Sequence, residues 1–188
     1  MNETKISGWL DRIDEYTALF NQSFSSLSPH QLNWKPTPSI WSIAENIEHL
    51  IVVNGSYFPL LENVKNGLYK KPMVALIPGY ARMIGKIVLK AVEPERKKKM
   101  KTFPVWEPKK SQITEQILEQ FAEHQDSLKK FIQNHAELVD RNIIISSPVN
   151  RNVVYHLPVA FEIIVTHELR HYHQAKEVMG MQMKKLGF

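Results

Sequence analysis

At 188 residues the chain is long enough for one domain around a single core, and short for two. Apolar residues make up 43% and charged residues 23%, an ordinary balance for a soluble protein; Cys is absent, which excludes disulfides, Cys-ligated zinc and a nucleophilic cysteine. The net charge of +5 is uneven, with ten basic and three acidic residues between Ala81 and Lys110, so a uniformly basic nucleic-acid-binding surface is not what the sequence describes.

No basic-then-apolar leader and no uninterrupted apolar run of spanning length occur, which argues against secretion and membrane insertion and makes a cytoplasmic location the expectation. From Lys5 to about Leu27, Ile6, Leu10, Ile13, Tyr16, Phe20, Phe24 and Leu27 recur at helical spacing and predict an amphipathic helix. Ser28-Pro29 ends it, because the residue before a proline avoids helical backbone. A second helix opens at Ser42-Ile43-Ala44-Glu45, a capping box, and runs to about Asn66, where Gly67 suits a helix end. Pro59 should kink it or end it early. His49 shares a column with Asn46, Val53 and Ser56, at the edge of the apolar face. Taken alone it reads as a half-buried, hydrogen-bonded histidine.

Between Leu68 and Lys110 five prolines exclude one long helix, although Tyr80 to Val92 can form a short one. A connection of this length is too long for a tight hairpin; it can run the length of a bundle and make the helices on either side parallel. Arg96-Lys97-Lys98-Lys99 reads as a solvated turn, or else as a rim that attracts anions. A third long helix is expected over about Ser111 to His135, with His124 on its core-facing stripe, where a packed histidine is the simpler reading than a ligand. Ile143-Ile144-Ile145 looks strand-like but has no evident partner strand, so it is expected to cover a bundle end. Pro158 should start a final helix that ends before Gly180, with His156 outside it.

On that last helix His167 and His171 stand four residues apart on one face, with Gln174 a turn further on. Two such imidazoles can reach one metal ion, and they can equally be packed core histidines; His173 points to another face. Four long helices predict an all-α four-helix bundle, up-down-down-up, whose facing side chains can build a metal site. A di-iron site is excluded, since no Glu-x-x-His pair occurs on two helices.

Trp41-Ser42-Ile43-Ala44-Glu45-Asn46-Ile47-Glu48-His49-Leu50 resembles the W-S-x-x-E-x-x-x-H-L signature of the DinB/YfiT-like superfamily of metal-binding four-helix bundles. His167-x-x-x-His171-x-x-Gln174 is similar to its C-terminal H-x-x-x-H-x-x-Q, and Lys101-Thr102-Phe103-Pro104 to the segment between its second and third helices. The resemblance covers nearly the whole chain. It implies that His49, His167 and His171 bind one divalent metal ion, zinc or nickel. Relatives include S-transferases that use bacillithiol or mycothiol and a thiol-dependent isomerase, while others are assigned as metal-dependent hydrolases.

Three histidines leave a tetrahedral ion one open position, where water or a thiol can be deprotonated, and a chain without Cys must take its thiol from a cosubstrate. Gln174 and Glu45 are placed to orient the ligands by hydrogen bonds, although Glu45 cannot serve its helix cap and the metal site fully at once. Three functions follow: a metal-dependent transferase acting on a low-molecular-weight thiol and an electrophile, which is favoured on the resemblance; a metal-dependent hydrolase; and a non-catalytic metal- or ligand-binding protein. The expected partner is a small-molecule substrate, an anionic thiol among the candidates. Neither nucleic acid nor membrane is expected, and a homodimer stays open.

Overall fold

The computed structural model describes residues 2–95, 102–108, 113–114 and 116–186. Helix α1 spans Asn2–Phe24, and a short α2, Pro29–Asn33, is capped by Ser28. The second long element is divided into α3, Ile43–Gly55, and α4, Tyr57–Lys65. The break falls at Ser56 because Pro59 has no N–H to offer the Gly55 carbonyl four residues back. Gly67, at φ 71°, then closes α4: the Gly67 and Leu68 N–H groups bond to the carbonyls of Val64 and Asn63 at 3.1 and 2.8 Å.

A 3-10 turn at Met73–Leu76 leads into α5, Tyr80–Val92, as the spacing predicts. The run Arg96-Lys97-Lys98-Lys99 and Lys101 lie outside the described residues, as does Ser111. Helix α6 is described over Ile117–Asn134 and is followed by the short α7, Ala136–Asp140. Two expectations fail after it. Ile143-Ile144-Ile145 does have a partner: β1, Ile144–Ser147, pairs antiparallel with β2, Asn150–His156, Ile145 standing opposite Tyr155. A lone hairpin is marginal, and this one is stabilised because Val154 packs with Ala75 and Ala81 under α5. The last helix, α8, runs Leu157–Leu186 straight through Gly180. Glycine in a helix interior costs about 1 kcal/mol; here the last turns are held by contacts beyond it, Gln182 donating to the Gln31 carbonyl and Lys185 lying over the Trp34 ring.

The side-chain pairings give the direction of every long helix. On α1, Arg12 meets Glu162 and Phe20 meets Tyr172 of α8, so these two run parallel. Asp14 meets Lys129 and Phe20 meets Phe121, so α6 opposes α1. Asn46 meets His171 and Asn54 meets Glu168, so α3 opposes α8. The topology is up-down-down-up, as expected from the long connection. Helix α5 lies against α8 and β2. It approaches both at Gly85, where a Cβ would come within 3.1 Å of Val159 and 3.2 Å of Tyr155.

Two apolar clusters fill the bundle. One contains Trp9, Ile13, Tyr57, Leu61, Leu128, Phe131 and Phe161; the other contains Phe20, Phe24, Ile43, Ile47, Phe121 and Val178. Between the levels they occupy stand three buried polar side chains, Asn54, Gln125 and Glu168.

Candidate metal centre

The site begins at the start of α3. Ser42 Oγ accepts from the Glu45 N–H at 3.0 Å, and the Glu45 carboxylate accepts from the Ser42 N–H at 2.8 Å. The other Glu45 oxygen accepts from Lys35 Nζ at 2.7 Å, so both oxygens are engaged in fixing the helix start. One residue on, Asn46 Nδ2 donates to the Ser42 carbonyl at 2.8 Å, which determines where its Oδ1 points. That oxygen accepts from His171 Nδ1 at 2.7 Å. His49 Nδ1 donates to the main-chain carbonyl of Trp106, in a 3-10 turn at Pro104–Trp106, at 2.8 Å.

A carbonyl oxygen can only accept, so both Nδ1 atoms carry the proton and both Nε2 atoms carry a lone pair. His171 Nε2 faces His167 Nε2 at 2.9 Å, and the proton between them is then donated by His167. One ligand nitrogen from each of His49, His167 and His171 lies within 4.8 Å of the others, and no other such group of His, Asp and Glu occurs among the described residues. Nitrogens about 2.05 Å from a tetrahedral ion stand roughly 3.3 Å apart, a spacing inside the 4.8 Å within which all three ligand atoms lie.

The charge state also fits a metal. Burial pulls His49 down to about 4, against a weaker opposing pull from the Trp106 carbonyl. Burial first, and then the neighbouring histidines and Arg170, hold His171 well below its ordinary value; burial, His49 and Arg170 do the same for His167. All three rings are therefore neutral near pH 7, each with one ring nitrogen that carries a lone pair. Trp41 walls the site, its ring 4.8 Å from His49 and nearly parallel to His171 at 6.0 Å.

Next to the histidines lies the polar layer. Both Glu168 oxygens accept amide protons, from Asn54 Nδ2 at 2.8 Å and Gln125 Nε2 at 2.9 Å. Burial nevertheless raises this carboxyl to about 8, so it is neutral at pH 7. A neutral carboxyl has one O–H to donate. Turning one amide end over end would supply its acceptor and use one of the two amide oxygens, Asn54 Oδ1 and Gln125 Oε1, that are buried with no partner among the described residues.

The three histidines from distant parts of the chain thus meet. His124 stays outside the cluster as a packed ring, stacked on Phe58 at 5.7 Å and lowered to about 4 by burial. His156 bonds to the Asn142 carbonyl outside α8, and His173 is exposed. Asn46 and Trp106 orient the rings where sequence reasoning looked to Glu45 and Gln174. A family model of the DinB superfamily matches residues 12–175. The chain belongs to the DinB superfamily. No curated protein and no solved structure matches it. The superfamily is metal-binding, and in this DinB-like chain the three histidines could hold a metal ion.

Proposed function

We propose that this DinB-like protein is a metal-dependent transferase that joins a low-molecular-weight thiol to an electrophile. The observation that carries the reading is the convergence of three neutral imidazoles, His49, His167 and His171, with no acidic or thiolate ligand among them. Such a nitrogen set suits zinc or nickel, and an ion held there would supply Lewis acidity at one open position, lowering the pKa of a thiol or water placed against it. The protein's own part is to keep the rings in place. The Asn46 amide and the Trp106 carbonyl hold the Nδ1 protons of His171 and His49, which leaves Nε2 as the ligand nitrogen of each ring. The chain has no Cys, so the thiol must come from solution. The Trp106 indole N–H, buried with no partner among the described residues, is a spare donor on a residue that touches His49.

Elemental analysis of the purified protein should find stoichiometric zinc or nickel. The His171→Ala variant should lose it while keeping its helical circular dichroism, because the fold rests on two apolar clusters. Electrophiles should then turn over only with an added thiol. Turnover without thiol would favour a hydrolase, and a stable metal with no turnover under either condition would favour a binding protein. A His171→Ala variant that bound metal as tightly as the parent would show that the ligand set is wrong.

A further inference from the structure

Six of the ten large apolar side chains exposed among the described residues come from one stretch: Leu68, Met73, Leu76, Ile77, Met83 and Ile87. Met73 is 84% and Leu76 72% exposed. Single exposed apolar residues are ordinary, whereas a set gathered on one segment marks a surface that meets something. The fold explains why they face outward. Ala75 and Ala81 are turned inward against Val154, and Gly85 presses α5 onto Val159 and Tyr155, so Met83 and Ile87 are left on the outer side of α5.

The same stretch holds the charge. Residues 68–92 contain five basic side chains and no acidic one. Lys70, Lys71, Arg82, Lys86 and Lys90 are all exposed. The chain has 24 basic and 19 acidic residues, so without these five it is balanced at nineteen of each. The segment's charge of +5 equals the net charge of the whole chain, and the basic residues between Ala81 and Lys110 overlap it.

We propose that the outer face of residues 68–90 rests on an anionic lipid bilayer. Met73, Leu76, Ile77 and Ile87 would enter the headgroup boundary while the five cations meet lipid phosphates. A bilayer offers both chemistries, anionic headgroups above apolar chains, and exposed aliphatic side chains beside cations need no shaped pocket to enter it. A second copy of the chain is disfavoured, because a two-fold contact would set five cations against the same five. The contact is peripheral, since no helix among the described residues is long and apolar enough to cross a membrane. The sequence expectation of no membrane partner rested on that missing span, which does not bear on surface contact.

Co-sedimentation with vesicles of phosphatidylcholine alone, and of phosphatidylcholine mixed with phosphatidylglycerol, tests this directly. The protein should bind the mixed vesicles and not the neutral ones, and less as salt rises. Each lysine near an anionic surface is worth about fivefold in affinity, so K86Q/K90Q should bind roughly thirtyfold more weakly at low salt. L76D/I87D should abolish binding, with circular dichroism and metal content unchanged. No binding to mixed vesicles at low salt, or equal binding by parent and both variants, overturns the proposal. Retention on immobilised polyglutamate without vesicle binding would give the face to an acidic protein. A concentration-dependent dimer lost in L76D/I87D would give it to a second copy.

Discussion

The Asn46 amide donates to the Ser42 carbonyl with one end and accepts from His171 with the other, which couples the cap of α3 to a ring on α8. Removing such an outer partner usually weakens metal binding about 10- to 100-fold. Asn46→Ala should therefore lower metal affinity within that range, measured by competition with a chromophoric chelator, while Asn46→Asp, which keeps an acceptor oxygen, should lose less. Equal losses in the two variants would mean that the His171 contact does not orient the ring. Asn46 was visible in the sequence as a column-mate of His49, but a column does not tell which of its members meets another helix. Trp106 was not legible at all: it acts through its main-chain carbonyl, a group that every residue has.

Helices α1 and α8 are joined by one polar cluster. Arg12 makes a two-pronged pair with Glu162, both bonds 2.8 Å, and Trp9 Nε1 donates to the same carboxylate at 2.8 Å. Burial alone would raise the Glu162 carboxyl; the bonds from Arg12 and Trp9, the Arg12 charge and Thr166 outweigh it and hold the group below its ordinary value of 4.5. A carboxyl held lower in the folded state stabilises above its unfolded value and loses that contribution as pH falls through the folded one. Both side chains are a third exposed, so solvent screening limits the effect to about 1 kcal/mol. Glu162→Gln should lower the urea midpoint near pH 7, and the gap from the parent should close as the pH drops below about 4.5. A gap that stayed constant with pH would show that only packing had been lost. At this scale the caps and breaks were plain in the sequence, because Ser42, Pro59 and Gly67 act on their own neighbours. The hairpin was not plain. Its stability comes from α5, whose Ala81 and Gly85 pack on it from about seventy residues away.

The up-down-down-up order followed from one long connection, and the bundle from helical spacing, because both are statements about length and period. The polar layer across the bundle was not foreseen: Asn54, Gln125 and Glu168 look in sequence like ordinary surface residues of three helices. Its consequence is for alignment. The apolar stripes on either side of it repeat, so α8 could slide by one turn, about 5.4 Å, and still bury apolar surface. Such a slip strands Glu168 away from both amides and leaves buried polar groups unpaired, which makes the shifted bundle costly. The layer would then act as a vernier mark, selecting one alignment of the helices without adding to the strength of their association. Replacing it by apolar side chains of similar size, N54L/Q125M/E168M, should leave the melting temperature equal or higher, while near-ultraviolet dichroism weakens and methyl resonances crowd together as slipped alignments become populated. A triple variant as well dispersed as the parent would mean that the apolar packing alone sets the alignment.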